Sequence, residues 1–85
     1  MTWKHKMADV NGDALLADGF ESAVMGYIVN YHHPQVVVYD LDQCRDILMQ
    51  RDGMTWDEAD EFLSFNTLDA YVGKHGPLFM QRFPI

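Results

Sequence analysis

The sequence predicts a small, two-layer α+β domain in which a pair of helices covers one face of a three-stranded sheet. Two β-branched and aromatic segments lie early in the chain, two helix-capping patterns lie in the middle, and a third apolar segment lies near the C-terminus. This order, β-β-α-α-β, favours an antiparallel or mixed sheet packed against a helical hairpin.

The first part of the chain is predicted to be a loosely ordered tail. Residues 1–13 are polar and end in the turn signal "NGD", and residues 14–85 are assigned to a single domain. The segment "DALLADGF" at 13–20 is expected to form one helical turn that stops at Gly19.

Two strands are predicted to follow as a hairpin. Residues 23–29, "AVMGYIV", are apolar on both alternating faces, which is typical of a strand buried on both sides or in an interface. Gly26 within this segment indicates a bulge or a close backbone approach. The turn cluster "NYHHP" at 30–34 then leads to the second strand, at 35–40.

The first long helix is predicted over about residues 41–51. Asp40 is a good N-cap, and Gln43 three residues later completes the pattern of a capping box. Gly53 stands where a helix commonly ends in a left-handed residue.

A second helix and a third strand are predicted to complete the domain. The helix covers about residues 56–72, with a capping box from Thr55 and Glu58 at its start and Gly73 at its end. The apolar bias of "LFMQRF" at 78–83 predicts the third strand.

The charge balance disfavours a nucleic acid as the partner. Thirteen Asp and Glu stand against six Lys and Arg, giving a formal charge of −7, and the densest basic spot is the short run 4–6. No apolar run approaches the roughly 20 residues of a membrane span, and the N-terminus lacks the apolar core of a signal peptide. A single cysteine excludes an intrachain disulfide and is compatible with a reducing compartment.

The chain shows no pattern typical of catalysis, metal binding or cofactor binding, so a non-enzyme without cofactor is expected. It has no phosphate-binding glycine loop, serine elbow or zinc signature. The adjacent His32 and His33 point opposite ways on an extended segment, which suits chelation poorly. Cys44 falls on the apolar face of the first helix and is interpreted as a small buried hydrophobe. The acids at 57–61 are ordinary complements of a helix N-terminus.

Asn66 is the most informative polar residue of the second predicted helix. It falls on the apolar stripe that contains Phe62 and Leu63, where a buried amide without a partner costs about 1–3 kcal/mol. The structural interpretation is that Asn66 ties this helix to a strand backbone or a loop. The functional interpretation is that it anchors a ligand or the main chain of a partner.

The same helix carries a second apolar stripe, so it is apolar nearly all round. Such a helix is buried on more than one side, which an 85-residue monomer achieves with difficulty. Binding to a partner or to a second copy is therefore expected. The candidate binding surface comprises Phe65, Asn66, Leu68, Tyr71, Val72, Lys74 and His75.

From Asp18 to about residue 80 the chain also resembles a family of small uncharacterised proteins of tailed bacteriophages. The motifs that carry the resemblance are "GFESAVMG", "VVVYD", Cys44, "RDGMTWDEA" (51–59), "FN" (65–66), "AYVG" (70–73) and "GPLF" (76–79). The chain departs from the family pattern at Asp69 and at 74–76, and no catalytic or binding residue is carried over. The resemblance implies a viral accessory protein that acts in the cytoplasm of a bacterial host.

Three functions remain open on these observations. The leading hypothesis is a non-catalytic accessory protein that binds a host or phage protein. The first alternative binds or sequesters a small nucleotide signal through Asn66, Tyr71, Lys74 and His75, and the second is a structural component of the virion. In each case a homodimer or higher homo-oligomer is expected, because the helices cover only one face of the sheet.

Overall fold

The computed structural model describes residues 2–68 and 73–84. It confirms the α+β class and the order β-β-α-α-β, and it adds one helix before the first strand. The helices are α1 (Trp3–Val10), α2 (Leu41–Asp52) and α3 (Trp56–Leu63), and the strands are β1 (Val24–Tyr27), β2 (Val37–Asp40) and β3 (Leu78–Met80). A short 3₁₀ helix covers Glu21–Ala23, and a π-helical turn covers Ser64–Leu68.

The sheet is mixed and has the strand order β1-β2-β3. β1 and β2 run antiparallel, whereas β2 and β3 run parallel, so the helices α2 and α3 form the connection between two parallel strands. Tyr39 in the central strand pairs with Val24 on one side and with Phe79 on the other. The register shifts between Val24 and Gly26, which confirms the bulge predicted at this glycine.

The core lies on one face of the sheet. Val37 and Tyr39 of β2 point to this face, where they belong to the same buried cluster as Met7 of α1, Cys44 of α2 and Leu63 of α3. Tyr39 also stacks on Phe79, with ring centroids 5.4 Å apart. All three helices therefore contribute to one face, and the prediction of a sheet covered on one face is confirmed.

The helix ends follow the sequence closely. Asp40 Oδ1 accepts hydrogen bonds from the N–H groups of Asp42 and Gln43, at 3.0 and 3.4 Å, and α2 ends at Gly53 with φ of 69°. Within the described residues the Gln43 side chain does not bond back to Asp40, so the start of α2 has an N-cap but not the complete capping box. Thr55 and Glu58 form the complete box at the start of α3.

The second predicted helix changes its geometry after Leu63. Ser64 Oγ donates to the carbonyl of Asp60 at 3.0 Å, and Asn66 Nδ2 donates to the carbonyl of Phe62 at 3.0 Å. These side chains compete with backbone N–H groups for carbonyls four residues back, a competition that bends or widens helices. The π-helical turn begins here, and the last predicted residues, 69–72, lie outside the described part of the chain.

The N-terminal segment is helical, which differs from the expectation of a loosely ordered tail. Trp3, Met7 and Val10 follow the spacing of one helix face, Met7 is buried, and the other two pack against the core. The segment has few apolar residues, and only their spacing indicates the helix. The predicted helical turn at 13–20 is wrong: this part of the chain forms turns and irregular backbone.

Polar contacts rather than a helix fix the segment between α1 and β1. The N–H of Ala17 donates to the hydroxyl of the buried Tyr39 at 2.8 Å. The N–H of Leu15 donates to the carbonyl of His75 at 3.0 Å, and Phe20 is buried in the core. These contacts hold the segment against the sheet and against the turn before β3.

The sheet face away from the helices is partly exposed. Val38 points to this face and pairs with Leu78, and Met80 follows two residues later on the same side of β3. Leu78 and Met80 are both exposed by more than a third. In β1, Met25 is half exposed. The prediction that the first strand is buried on both sides is therefore wrong for the single chain.

Candidate functional site

One flank of α3 is an unusual surface for a soluble helix. Ala59 and Leu63 are fully buried, so the opposite side faces solvent. Helical spacing places Glu58, Phe62 and Phe65 along one flank, between the buried side and the solvent side, and Phe65 is 70% exposed while Phe62 is 37% exposed. Two phenylalanines therefore occupy positions at which charged or polar side chains are usual.

These phenylalanines belong to a shallow, open concavity of about 270 Å³. We call it the aromatic–acidic surface, and its lining residues are Met54, Glu58, Glu61, Phe62, Phe65 and Asn66. Both the end of the turn before α3 and the π-helical turn after it contribute, so its shape depends on the two ends of one short helix.

The acids of this surface have no cationic partner within the described residues. No ion pair there involves Glu58 or Glu61. The pKa of Glu58 is lowered from its ordinary value because its carboxylate accepts a hydrogen bond from the backbone N–H of Thr55 and is also stabilised by the Thr55 side chain. The aromatic–acidic surface is thus negatively charged as well as apolar.

Asn66 is exposed, so the prediction of a buried amide is wrong. Its side chain donates to the carbonyl of Phe62 in its own helix, and within the described residues it bonds to no strand or loop. The prediction assumed a regular helix to residue 72, and the π-helical turn rotates the later residues around the axis. Asn66 had a structural interpretation, as a tie to a strand or a loop, and a functional one, as an anchor for a ligand or a partner. Its exposure is compatible with the functional interpretation.

The other predicted surface residues are only partly brought together. Phe65 and Asn66 share the aromatic–acidic surface, and Leu68 ends the π-helical turn. Tyr71 and Val72 lie outside the described residues. Lys74 and His75 lie in the turn after Gly73, and His75 is only partly exposed.

His75 contacts the N-terminal segment rather than the aromatic–acidic surface. Asn11 Nδ2 lies 3.1 Å from His75 Nδ1 and donates to the carbonyl of Gln35 at 2.8 Å. Asn11 thus has a role like the one that sequence reasoning assigned to Asn66, because it ties a helix end to the segment before β2 and to the turn before β3. Its position in a turn signal gave no indication of this long-range role.

A charged network at the start of α2 was missed by sequence reasoning. Arg45 is 7% exposed, and its guanidinium bonds to Asp42 Oδ1 and Asp60 Oδ1, both at 2.9 Å, and to Gln81 Oε1 at 2.8 Å. It also lies over the Trp56 ring, 4.8 Å from the centroid. We call these residues the Arg45 network.

The C-terminal segment extends the Arg45 network. Arg82 Nε lies 3.2 Å from Asp40 Oδ2 and 3.9 Å from Asp42 Oδ2. An open cleft of about 820 Å³ lies beside these contacts, lined by Asp42, Met80, Gln81, Arg82, Phe83 and Pro84. Its charged groups already bond to one another, so the described part of this cleft offers no free acid or base.

Other candidate reactive groups are placed as follows. Cys44 is fully buried, as predicted, and burial with the nearby Asp40 raises the pKa of its thiol to about 11. His33 Nδ1 lies 2.7 Å from the carbonyl of Pro34, and the neighbouring His32 is exposed. Across residues 2–68 and 73–84 no group of three His, Cys, Asp or Glu is arranged to hold a metal ion.

Comparison with known proteins gives no match to a protein-family model, a curated protein or a solved structure. None of the helices within the described residues has the length and apolar character needed to cross a membrane.

Proposed function

We propose that this protein is a small, non-catalytic accessory factor of the phage type that binds a host or phage protein through the aromatic–acidic surface. The observation that supports the proposal is the pair Phe62 and Phe65 on one flank of a capped helix. Exposed aromatic side chains in a shallow concavity resemble the anchor residues of protein interfaces.

The charge of this surface indicates the kind of partner. Glu58 and Glu61 flank the phenylalanines and have no cation of their own within the described residues. A partner with an apolar groove edged by Lys or Arg complements both features, and an amphipathic helix in a groove is a recurrent mode of recognition. The net charge of −7 would also accelerate encounter with such a basic partner at low salt.

A lysate binding experiment with matched variants tests the proposal. The tagged protein is used as bait in bacterial lysate beside the double variant Phe62→Ala/Phe65→Ala. The control is Val29→Ala/Tyr31→Ala, which removes two exposed apolar side chains from the tip of the β1–β2 hairpin. We expect the wild type and the hairpin control to retain the same proteins and the phenylalanine variant to lose them.

The result that would contradict the proposal is equal retention by the phenylalanine variant. A second arm raises the salt concentration to about 1 M, where the Debye length shrinks to about 3 Å. Association steered by Glu58 and Glu61 should then become slower, whereas a purely apolar contact should not.

We further propose that a second copy of the chain covers the exposed sheet face. Leu78 and Met80 make this face apolar along the edge strand β3, and Asp40 at the end of β2 already pairs with Arg82, so no unpaired carboxylate from β2 opposes contact between copies. Twofold pairing buries the same patch on both chains. Light scattering should give a dimer mass for the wild type and a monomer mass for Met80→Glu, and a monomeric wild type would contradict this proposal.

A further inference from the structure

A half-open apolar pocket lies between α1 and the sheet, away from the aromatic–acidic surface. Its volume is about 200 Å³, and we call it the N-terminal pocket. Its lining residues are Trp3, Lys6, Met7, Val24, Gly26, Tyr27 and Val37. Almost all of the surface inside it is carbon, because Trp3 and Tyr27 form aromatic walls and Met7 and Val37 belong to the core.

Gly26 lines the strand side of this pocket with backbone atoms alone, because it has no side chain. It lies at the bulge of β1. A glycine at this position thus gives a ligand direct access to the backbone of an edge strand.

The size of the N-terminal pocket selects a small aromatic ligand. An apolar cavity of about 150 Å³ accommodates benzene, so about 200 Å³ accommodates one six-membered ring with a short substituent. A nucleotide is much larger than this. The aromatic walls also favour a ring, because offset or edge-on aromatic pairs add to the free energy of burial.

The single cation of the pocket selects the charge of that ligand. Lys6 lies at the pocket and, within the described residues, forms no ion pair, whereas the neighbouring Lys4 lies 3.9 Å from Glu21. The run 4–6 is also the most basic spot of a chain with a charge of −7. An anionic group on the ligand would therefore meet its complement here and would be repelled by most of the remaining surface.

From these contacts we propose that the N-terminal pocket binds an aromatic ring joined by a short chain to a carboxylate. The ring lies between Trp3 and Tyr27, and the carboxylate pairs with Lys6 at the opening. This chemistry occurs in free aromatic acids and in a peptide that ends in phenylalanine, and the proposal is independent of the function proposed for α3.

The test follows the two indole N–H signals in a ¹H–¹⁵N NMR titration, because the chain has two tryptophans. The probe is 3-phenylpropionate, and the comparison compounds are propionate, which lacks the ring, and 3-phenylpropanol, which lacks the charge. We expect the Trp3 signal to shift with 3-phenylpropionate, with a Kd on the order of 1 mM. Trp56, which lies on Arg45, serves as the internal control and should not shift.

Two pairs of variants separate the ring contact from the charge contact. Tyr27→Ala should weaken binding about tenfold, whereas Tyr31→Ala at the fully exposed hairpin tip should not change it. Lys6→Gln should weaken binding of 3-phenylpropionate about two- to fivefold and leave 3-phenylpropanol unchanged, and Lys74→Gln, an exposed lysine outside the pocket lining, is the matched control.

Peptides that end in Gly-Gly-Phe, with a free carboxylate or a C-terminal amide, distinguish the two sources. Tighter binding of the free-carboxylate peptide than of 3-phenylpropionate would identify a peptide terminus, and the reverse order would identify a free acid. The proposal is overturned if the Trp3 signal does not move, if propionate moves it equally, or if Tyr27→Ala and Lys6→Gln bind as the controls do.

Discussion

The Arg45 network and the aromatic–acidic surface are two charged regions of the same helical pair with opposite character. In the first, a buried guanidinium has a bonding partner in α2, in α3 and in the C-terminal segment. In the second, two glutamates have no cationic partner in the described chain and stand beside two exposed phenylalanines.

The difference separates a structural role from an interaction role. A buried charge with all its partners inside the chain fixes how the elements pack, because removal of one partner leaves the others unpaired. The exposed Phe65 ring and the Glu61 carboxylate contribute little to the fold, since both lie largely in water, whereas Glu58 contributes only through the helix cap. Variants that change stability should therefore map to the first region, and variants that change only binding should map to the second.

The largest difference in stability is expected between variants of Leu63, in α3, and of Phe65, in the π-helical turn that follows it. Leu63→Ala removes a fully buried side chain and should lower the free energy of unfolding by about 2–5 kcal/mol. Phe65→Ala removes a ring that is mostly in water and should change it by about 0.5 kcal/mol or less. Urea unfolding followed by circular dichroism measures both. A large loss in Phe65→Ala would show that this ring belongs to the core.

The second-largest loss of stability is expected for variants of the Arg45 network. Arg45→Ala should lower the free energy of unfolding by about 2–4 kcal/mol, because it leaves Asp60 without its cation, leaves Asp42 with only the more distant Arg82, and removes buried carbon as well. Arg51→Ala is the matched control, since Arg51 is half exposed and pairs with the adjacent Asp52; its loss should stay below about 1 kcal/mol. Equal losses in the two variants would contradict the structural role of the network.

Local signals in the sequence account for the parts of the fold that were predicted. The caps at Asp40, Gly53 and Thr55 act within one helical turn, so the residues that form them are adjacent in sequence. The strands follow from β-branched and aromatic segments in the same way. The hairpin and the single covered face then follow from short connections and from the apolar periodicity.

Long-range contacts account for what the sequence did not predict. Arg45 bonds to residues 15 and 36 positions away, and Asn11 bonds to residues 24 and 64 positions away. Residues that are this far apart in the sequence form no local pattern from which the contact could be predicted. The candidate surface was predicted in part, through Phe65. Asn66 was misplaced for a local reason: the regular helix gives way at Ser64 to a π-helical turn, in which the Ser64 and Asn66 side chains bond to carbonyls four residues back.

A smaller effect is expected at the start of α3, where the acidic side of the surface meets the helix cap. Thr55→Ala removes the hydroxyl that accepts from the Glu58 N–H at 3.2 Å and should cost about 1 kcal/mol. Thr2 occupies the N-cap position of α1 without a capping hydrogen bond from its side chain, so Thr2→Ala should cost less than about 0.5 kcal/mol. Thermal unfolding of the two variants side by side checks this difference.

The smallest effect is the pH dependence that Glu58 contributes. Its carboxylate accepts from the Thr55 N–H at 2.9 Å, which lowers its pKa in the folded state below the ordinary 4.5. The unfolded state therefore takes up the proton at a higher pH, so this contribution is present above pH 4.5 and is lost as the pH falls through the folded-state pKa. Glu58→Gln should therefore make stability fall less steeply below pH 4.5 than it does in the wild type. Urea midpoints measured between pH 3 and 6 decide the matter: identical slopes for Glu58→Gln and the wild type would show that the capping carboxylate is not held in its ionised form by the fold.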